Sequence, residues 1–410
     1  MIISNRDQEI LRALAAQQME LAHSREMDQL RKQWRAHGDF AAASRPMVRI
    51  ELWTFEQDVL PERMRCQGED ARAVERRLLT NMAGHTLFGD DTLVPAHWGV
   101  TPRLRFVPFG LAVKRQETGG VGHHFVPYLS DLAKDIGVLG ESRFSVDEEG
   151  AAREMEEMDA LFGDLLPVKR TGYSLTCCPM QDLVHIMNMD DLYVAMMDEP
   201  ELFSQVLGRL VDDYIAFFRE LEAKGLLRTA AADQHLCQGS YCFTDELPDE
   251  KEGAALGEMW LYIDYQETSG VSPPMFEELV FPAYKKLMDL AGRVSYGCCE
   301  SVSGIWDGCL SKVANLKKVS VSPWCDEEKI GQRLRGRDIV DLRKPSPNLL
   351  GVGAELDEDA VRAHIAATAR AARGCRLEIA QRDVYQIHGT PAKVARYVQL
   401  IRETLEKEFR

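Results

Sequence analysis

Arg293-Val294-Ser295-Tyr296-Gly297-Cys298-Cys299-Glu300 opens as a short strand-like run and ends in two thiols and a carboxylate. If the strand runs through it, alternation puts Tyr296, Cys298 and Glu300 on one side and Cys299 on the other. Further on, Val319-Ser320-Val321-Ser322-Pro323-Trp324-Cys325-Asp326 repeats the design, a β-branched run closing on another thiol and another carboxylate. Two successive strands that deliver sulfur and oxygen donors to their C-terminal ends suit a parallel α/β barrel, whose active site lies at that end.

Working outward, strand patterns fall at residues 47–53, 168–176, 227–235, 259–265, 293–299, 317–322, 338–343 and 376–381. Helical patterns lie between them at 180–225, 273–290, 303–313, 327–334 and 357–372, and a last helix follows Thr390-Pro391, an N-cap with proline at the first helical position. Strand then helix, repeated to eight strands, predicts a (β/α)8 TIM barrel, with a doubly wound open sheet as the alternative. Ahead of it, Ile10, Leu11, Leu14, Met19, Leu21, Met27, Leu30 and Trp34 recur at helical spacing through 5–35 and predict one long arm. Helices are expected at 71–86 and 146–161, with short β pieces between Pro and Gly over 90–145. The expected organisation is an arm over 1–45 and a single barrel domain over 46–410, carrying an insertion at about 54–165. Gly119-Gly120-Val121-Gly122-His123-His124 lacks the strand-loop-helix frame of a phosphate cradle.

The 410 residues, 45% of them hydrophobic, can bury the core such a barrel needs. A net charge of −16 would repel a nucleic-acid backbone or an anionic membrane surface. No run approaches the length that spans a bilayer and no signal segment is visible, so a cytoplasmic protein is expected. Ten cysteines, with adjacent pairs at Cys177-Cys178 and Cys298-Cys299, then read as thiols or metal ligands rather than a disulfide framework.

On the barrel reading several strand ends are polar together: Asp233-Gln234-His235-Leu236-Cys237, Asp264-Tyr265-Gln266-Glu267, Cys298-Cys299-Glu300, Cys325-Asp326, Arg343-Lys344 and Arg382-Asp383. Cys298, Glu300 and Cys325 offer the atoms of a zinc site with an open position, His235 or Asp383 standing in reserve; buried thiols acting as small apolar residues are the alternative. Asp264 and Glu267 are acid/base candidates, joined by Tyr296, Glu300 and Asp383. Arg343 and Lys344 can hold a substrate carboxylate or phosphate, and His235 and Trp324 are further substrate contacts.

The run Ser269-Gly270-Val271-Ser272-Pro273-Pro274-Met275-Phe276-Glu277-Glu278-Leu279-Val280-Phe281-Pro282-Ala283-Tyr284-Lys285-Lys286, directly after the acidic end Asp264-Tyr265, resembles the uroporphyrinogen decarboxylase superfamily. The resemblance covers roughly residue 169 to the C-terminus. Tyr296-Gly297-Cys298-Cys299 stands where cobalamin-dependent methyltransferases of that superfamily carry a His-x-Cys-Gly zinc motif, with Tyr296 in the place of the histidine. The decarboxylase's own Met-Arg-Gln-Ala-Gly-Arg-Tyr signature has no counterpart in Arg45-Pro46-Met47-Val48-Arg49-Ile50-Glu51-Leu52-Trp53. The resemblance implies a barrel of the uroporphyrinogen decarboxylase type. It also implies a methyltransferase component that exchanges a methyl group between a small substrate and a corrinoid protein, zinc-assisted, and a homodimer. A decarboxylase of a uroporphyrinogen-like or smaller acid and a non-catalytic binding barrel are the alternatives.

Overall fold

The computed structural model describes residues 1–41, 44–117 and 123–409; the glycine run 119–122 lies outside them. Seven strands form one sheet: β1 (Met47–Ile50), β2 (Leu175–Cys177), β3 (Trp260–Ile263), β4 (Arg293–Tyr296), β5 (Leu316–Val321), β6 (Val340–Arg343) and β7 (Arg376–Gln381). They run parallel in the order β1-β7-β6-β5-β4-β3-β2. Parallel strands need helical crossovers, and the apolar residues on the sheet's outer face pack on those helices. Val294, Val319 and Val321 join Phe281, Tyr284 and Leu287 in one cluster, and Val48, Ile50, Leu377 and Ile379 join Val361, Ile365, Val394 and Tyr397 in another. The inner face is polar by comparison, with Arg49, Lys318, Ser320, Glu378 and Arg382 all buried. Lys318 and Glu378 pair there at 2.9 Å, which satisfies two charges the interior could not otherwise hold. The layout is barrel-like, an inner wall of parallel strands with helices outside.

The eighth expected strand is not in the sheet. Over 227–235 the backbone turns to its own neighbours: the Thr229 N–H bonds to the Lys251 carbonyl at 3.0 Å and the Ala254 N–H to that of Leu227 at 3.0 Å. Ala230-Ala231-Ala232 carries no branched side chain to pack on a pleated surface. A short antiparallel hairpin, His235–Leu236 against Ser240–Tyr241, stands between β1 and β2 instead. Arg49 of β1 donates to the carbonyl of Gly239 at 3.0 Å, and Thr176 of β2 lies 3.8 Å from the Cys237 sulfur. The 168–176 run is likewise split. Val168–Arg170 pairs with Trp98–Val100, and β2 begins only after Gly172, where a Cβ would sit 1.9 Å from the Thr229 carbonyl oxygen.

The arm is two helices, α1 (Asn5–Ala22) and α2 (Arg25–Gly38), not one. The break falls at His23-Ser24, because the Ser24 hydroxyl accepts the Met27 N–H at 3.2 Å and so starts a new helix. The apolar stripe is covered by the chain itself. Leu11 and Ala15 pack with Val74, Leu78 and Trp98, while Met27, Leu30 and Trp34 pack with Met47, Tyr241 and Phe243. A second copy is therefore not needed to bury it. Helices at Glu69–Ala83 and Glu148–Phe162 fall close to expectation. Between them, the antiparallel pair Arg103–Val107 and Arg143–Asp147 rests Phe106 and Phe144 on Phe217. No helix among the described residues is long and apolar enough to cross a membrane.

Candidate active site

β4 stops at Tyr296 because Gly297 takes φ +95°, a conformation open to glycine and strained for other residues. The alternation expected through this stretch is therefore lost. Tyr296 faces the helix-side core, fully buried, with no partner for its hydroxyl. Glu300 turns back on the main chain, accepting the N–H of Cys298 at 2.8 Å and that of Tyr265 at 3.2 Å. Ser320 and Ser322 of the neighbouring strand donate to the carbonyls of Cys298 and Glu300 at 2.7 and 3.0 Å. The loop is thus pinned from both sides, and Glu300 shapes it.

Pinned in this way, Cys298 and Cys299 present their sulfurs 3.5 Å apart. The Cys299 thiol donates to Asp383 Oδ2 at 3.5 Å, and the Arg382 guanidinium reaches Cys298 Sγ at 3.8 Å. Arg382 is held by Glu51, beyond the end of β1. Buried Lys344 donates to the Cys298 carbonyl at 2.7 Å and to Gln238 of the hairpin. The Cys299 hydrogen bond, helped by the positive fields of Lys344 and Arg382, draws the Cys298 thiol down to about 7 against the opposing effect of burial. Cys299, as the partner that keeps its proton, is pushed up.

Across the mouth, beyond β3, the groups are acids. Asp264 is buried; one oxygen accepts from the Tyr262 hydroxyl at 2.5 Å and the other has no partner. Glu267 is similar. Its Oε1 accepts from the amides of Gln181 at 3.1 Å and Gln266 at 3.0 Å, while Oε2 is buried and unpartnered. No cation pairs with either carboxyl among the described residues. Burial raises both carboxyls, and for Asp264 the charge of Glu300 adds to it. A cavity of about 490 Å³ touches both sides, its wall formed by Gln266, Glu267, Ser269, Cys299 and Trp324 among others.

Other expected residues fall elsewhere. Arg343 lies on the outer face of β6, where it donates to the carbonyls of Val321 and Ser322 at 3.0 and 2.8 Å and pairs with Glu327. Its neighbour Lys344, one residue on, is the one that faces the mouth. His235 stands with both ring nitrogens 3.3 Å from an Arg49 nitrogen and is not on the cavity wall. Trp324 is on that wall and 77% exposed. Cys298, Glu300 and Cys325 do not converge as metal ligands: the Glu300 oxygens are taken by backbone N–H groups, and Cys325 Sγ turns to the Glu300 carbonyl at 3.8 Å. Among the described residues no group of three His, Cys, Asp or Glu is arranged to hold a metal ion. The expected zinc set does not fit. A larger cavity, about 730 Å³, opens at the opposite ends of the strands beside Pro46, Asp338 and Arg376. Its single thiol, Cys375, donates to the Gly331 carbonyl at 3.2 Å, so the reactive groups belong to the smaller cavity.

In the sequence Arg382 stands only as part of a polar strand end, without a role; Gln181 and Gln238 carry no sequence signal.

No family model and no curated protein matches this chain. Among solved structures, a methyltransferase from Methanosarcina mazei is similar over 93% of this chain and 99% of that one, at 13% identity and a TM-score of 0.48. A likeness of that size leaves the chemistry to be argued from this chain's own residues.

Proposed function

We propose that this chain is the methyltransferase component of a corrinoid-dependent system, taking a methyl group from oxygen or nitrogen of a small substrate bound in the mouth. The observation that carries the reading is Glu267, a carboxyl with raised affinity for its proton on the wall of the cavity. Removing a methyl group from a methyl ether leaves an alkoxide and from methanol a hydroxide, each a poor leaving group unless it is protonated as the bond breaks. Glu267 stores that proton. Because Oε1 accepts from two amides, the proton sits on Oε2, and the soft terminal torsion of a glutamate lets the acid swing toward a bound ligand. Asp264 behind it, also raised, restores the proton.

A corrinoid carried by a second protein would supply a cobalt nucleophile able to take the methyl group as a cation. The rim suits such a visitor: Trp53, Trp324 and Tyr385, in the segments after β1, β5 and β7, are 59%, 77% and 53% exposed. Exposed aromatic side chains on one rim mark a surface that another molecule covers. In this reading the wall is a (β/α)8 variant whose hairpin at residues 235–241 replaces one strand, in keeping with the superfamily resemblance of Ser269 and the residues after it.

The test incubates the full chain with free cob(I)alamin and a panel of O-methyl and N-methyl compounds, following the methyl–cobalt absorbance. At least one donor should methylate cobalt, and Glu267→Gln should slow that donor by about 10²–10⁴-fold without raising KM. A wild-type chain inert to the whole panel, or a Glu267→Gln variant at full rate, contradicts the proposal.

A further inference from the structure

The methyl-transfer reading uses Glu267 and Asp264 and leaves the paired thiols without a task. We propose that Cys298 and Cys299 are a peroxide-reactive pair that closes to a disulfide between adjacent residues, with Asp383 as the base for the second thiol. Three placements carry this. The sulfurs are 3.5 Å apart, so the second can reach the first without backbone travel from another element. Cys299 donates to the carboxylate of Asp383, which stands at the start of the loop after β7. Cys299 also lines the cavity of about 490 Å³, which gives a small oxidant a way in.

The chemistry balances with hydrogen peroxide as the oxidant. The Cys298 sulfur takes one peroxide oxygen as the O–O bond breaks, and the other oxygen leaves as water, giving a sulfenic acid. Cys299 then passes its proton to Asp383 and attacks the Cys298 sulfur. The hydroxide expelled takes that proton and leaves as a second water. The two thiols have lost two electrons and two protons, and the peroxide has been reduced to two waters. Arg382, 3.8 Å from Cys298 Sγ, favours the charged sulfur that begins the sequence. The competing thiols Cys66, Cys177, Cys178, Cys237 and Cys242 are pushed the other way by burial.

Closing the ring also has a mechanical result. A disulfide between neighbours strains the peptide that joins them, and this peptide's carbonyl is where Lys344 and Ser320 donate, each at 2.7 Å. Lys344 is also the link to Gln238. Oxidation therefore loosens the hairpin from the mouth.

The experiment treats the full chain with stoichiometric hydrogen peroxide and maps its peptides by mass spectrometry. The expected product has lost two hydrogens within the peptide containing 298 and 299, with faster hydrogen exchange at residues 237–240. Cys299→Ser should stop at a sulfenic acid on Cys298 that dimedone traps, and Asp383→Asn should close the disulfide roughly a hundredfold more slowly. If Cys299→Ser does not fold, phenylarsine oxide replaces it, since it bridges two close thiols; it should protect both from peroxide in the wild type. Over-oxidation of Cys298 with no link to Cys299, or no protection by the arsenical, overturns the proposal.

Discussion

The two sides of the mouth each send a residue to the same cavity, Glu267 from one and Cys299 from the other, yet the groups on them hold their protons in opposite ways. Beyond β3, Asp264 and Glu267 have no cation partner among the described residues, so burial, joined at Asp264 by the charge of Glu300, outweighs their hydrogen-bond donors and both carboxyls stay protonated more readily than in water. Beyond β4, β6 and β7, Cys298 is as buried, but a thiol neighbour and two cations outweigh burial and the sulfur ionises more readily. Depth therefore does not set the direction of a shift. What sets it is whether donors and opposite charges together outweigh the burial. One site thus raises its carboxyls and lowers a thiol side by side.

The sharpest way to break this comparison is at Arg343, next to Lys344 but on the outer face. If the cationic side owes its character to the mouth alone, Arg343→Gln should cost about 3–5 kcal/mol of stability in urea, by stranding Glu327, and leave the Cys298 titration where it was. A moved titration would mean the field extends through the sheet.

Asp341 is the control for the acid side, buried on that same outer face with one oxygen unpartnered. Burial lifts it to about 7 from an ordinary 3.8, with Arg343 opposing. Its folded form thus binds the proton more tightly than the unfolded chain, so stability is greatest below 3.8 and falls as pH rises toward about 7. Asp341→Asn should gain on the order of 2 kcal/mol at about pH 8, gain nothing near pH 4, and leave methyl transfer unchanged. Equal stability at both pH values would show that burial is not the cause.

The smallest effect is expected at Lys344→Met, which removes one of the two cations. The Cys298 midpoint, read from its alkylation rate, should rise from about 7 by roughly one unit. Because that midpoint lies below the ordinary 9.0, ionised Cys298 adds stability that is full above 9.0 and is lost as pH falls through about 7; the variant should keep less of it.

Much of this frame was legible in the sequence. β1 and β3 to β7 were foreseen because each is a short run with branched or aromatic side chains ending in polar groups, and that texture survives folding. What could not be read was phase. Nothing in Tyr296-Gly297-Cys298 announces that Gly297 takes φ +95° and turns Tyr296 and Cys298 to opposite sides of the wall. The same uncertainty attached to Arg343 and Lys344, where the strand's last residue faces the helices and the next one faces the mouth. The triple alanine at 230–232 looked like a strand by its neighbours, but it lacks the side chains to hold one. Glu267 was legible as an acid; that burial raises its hold on the proton, against two glutamine amides that favour the ionised form, needed the fold.

At the centre of this account, Glu267 holds its proton above the ordinary glutamate range because it is buried without a cation. Infrared difference spectra of the carboxylic-acid carbonyl stretch, recorded through a pH titration of wild type and Glu267→Gln, test it directly. A neutral-acid band that persists above the ordinary glutamate value of 4.5 and is absent from the variant is the result the account predicts. The same spectrum in wild type and variant throughout the titration would contradict it.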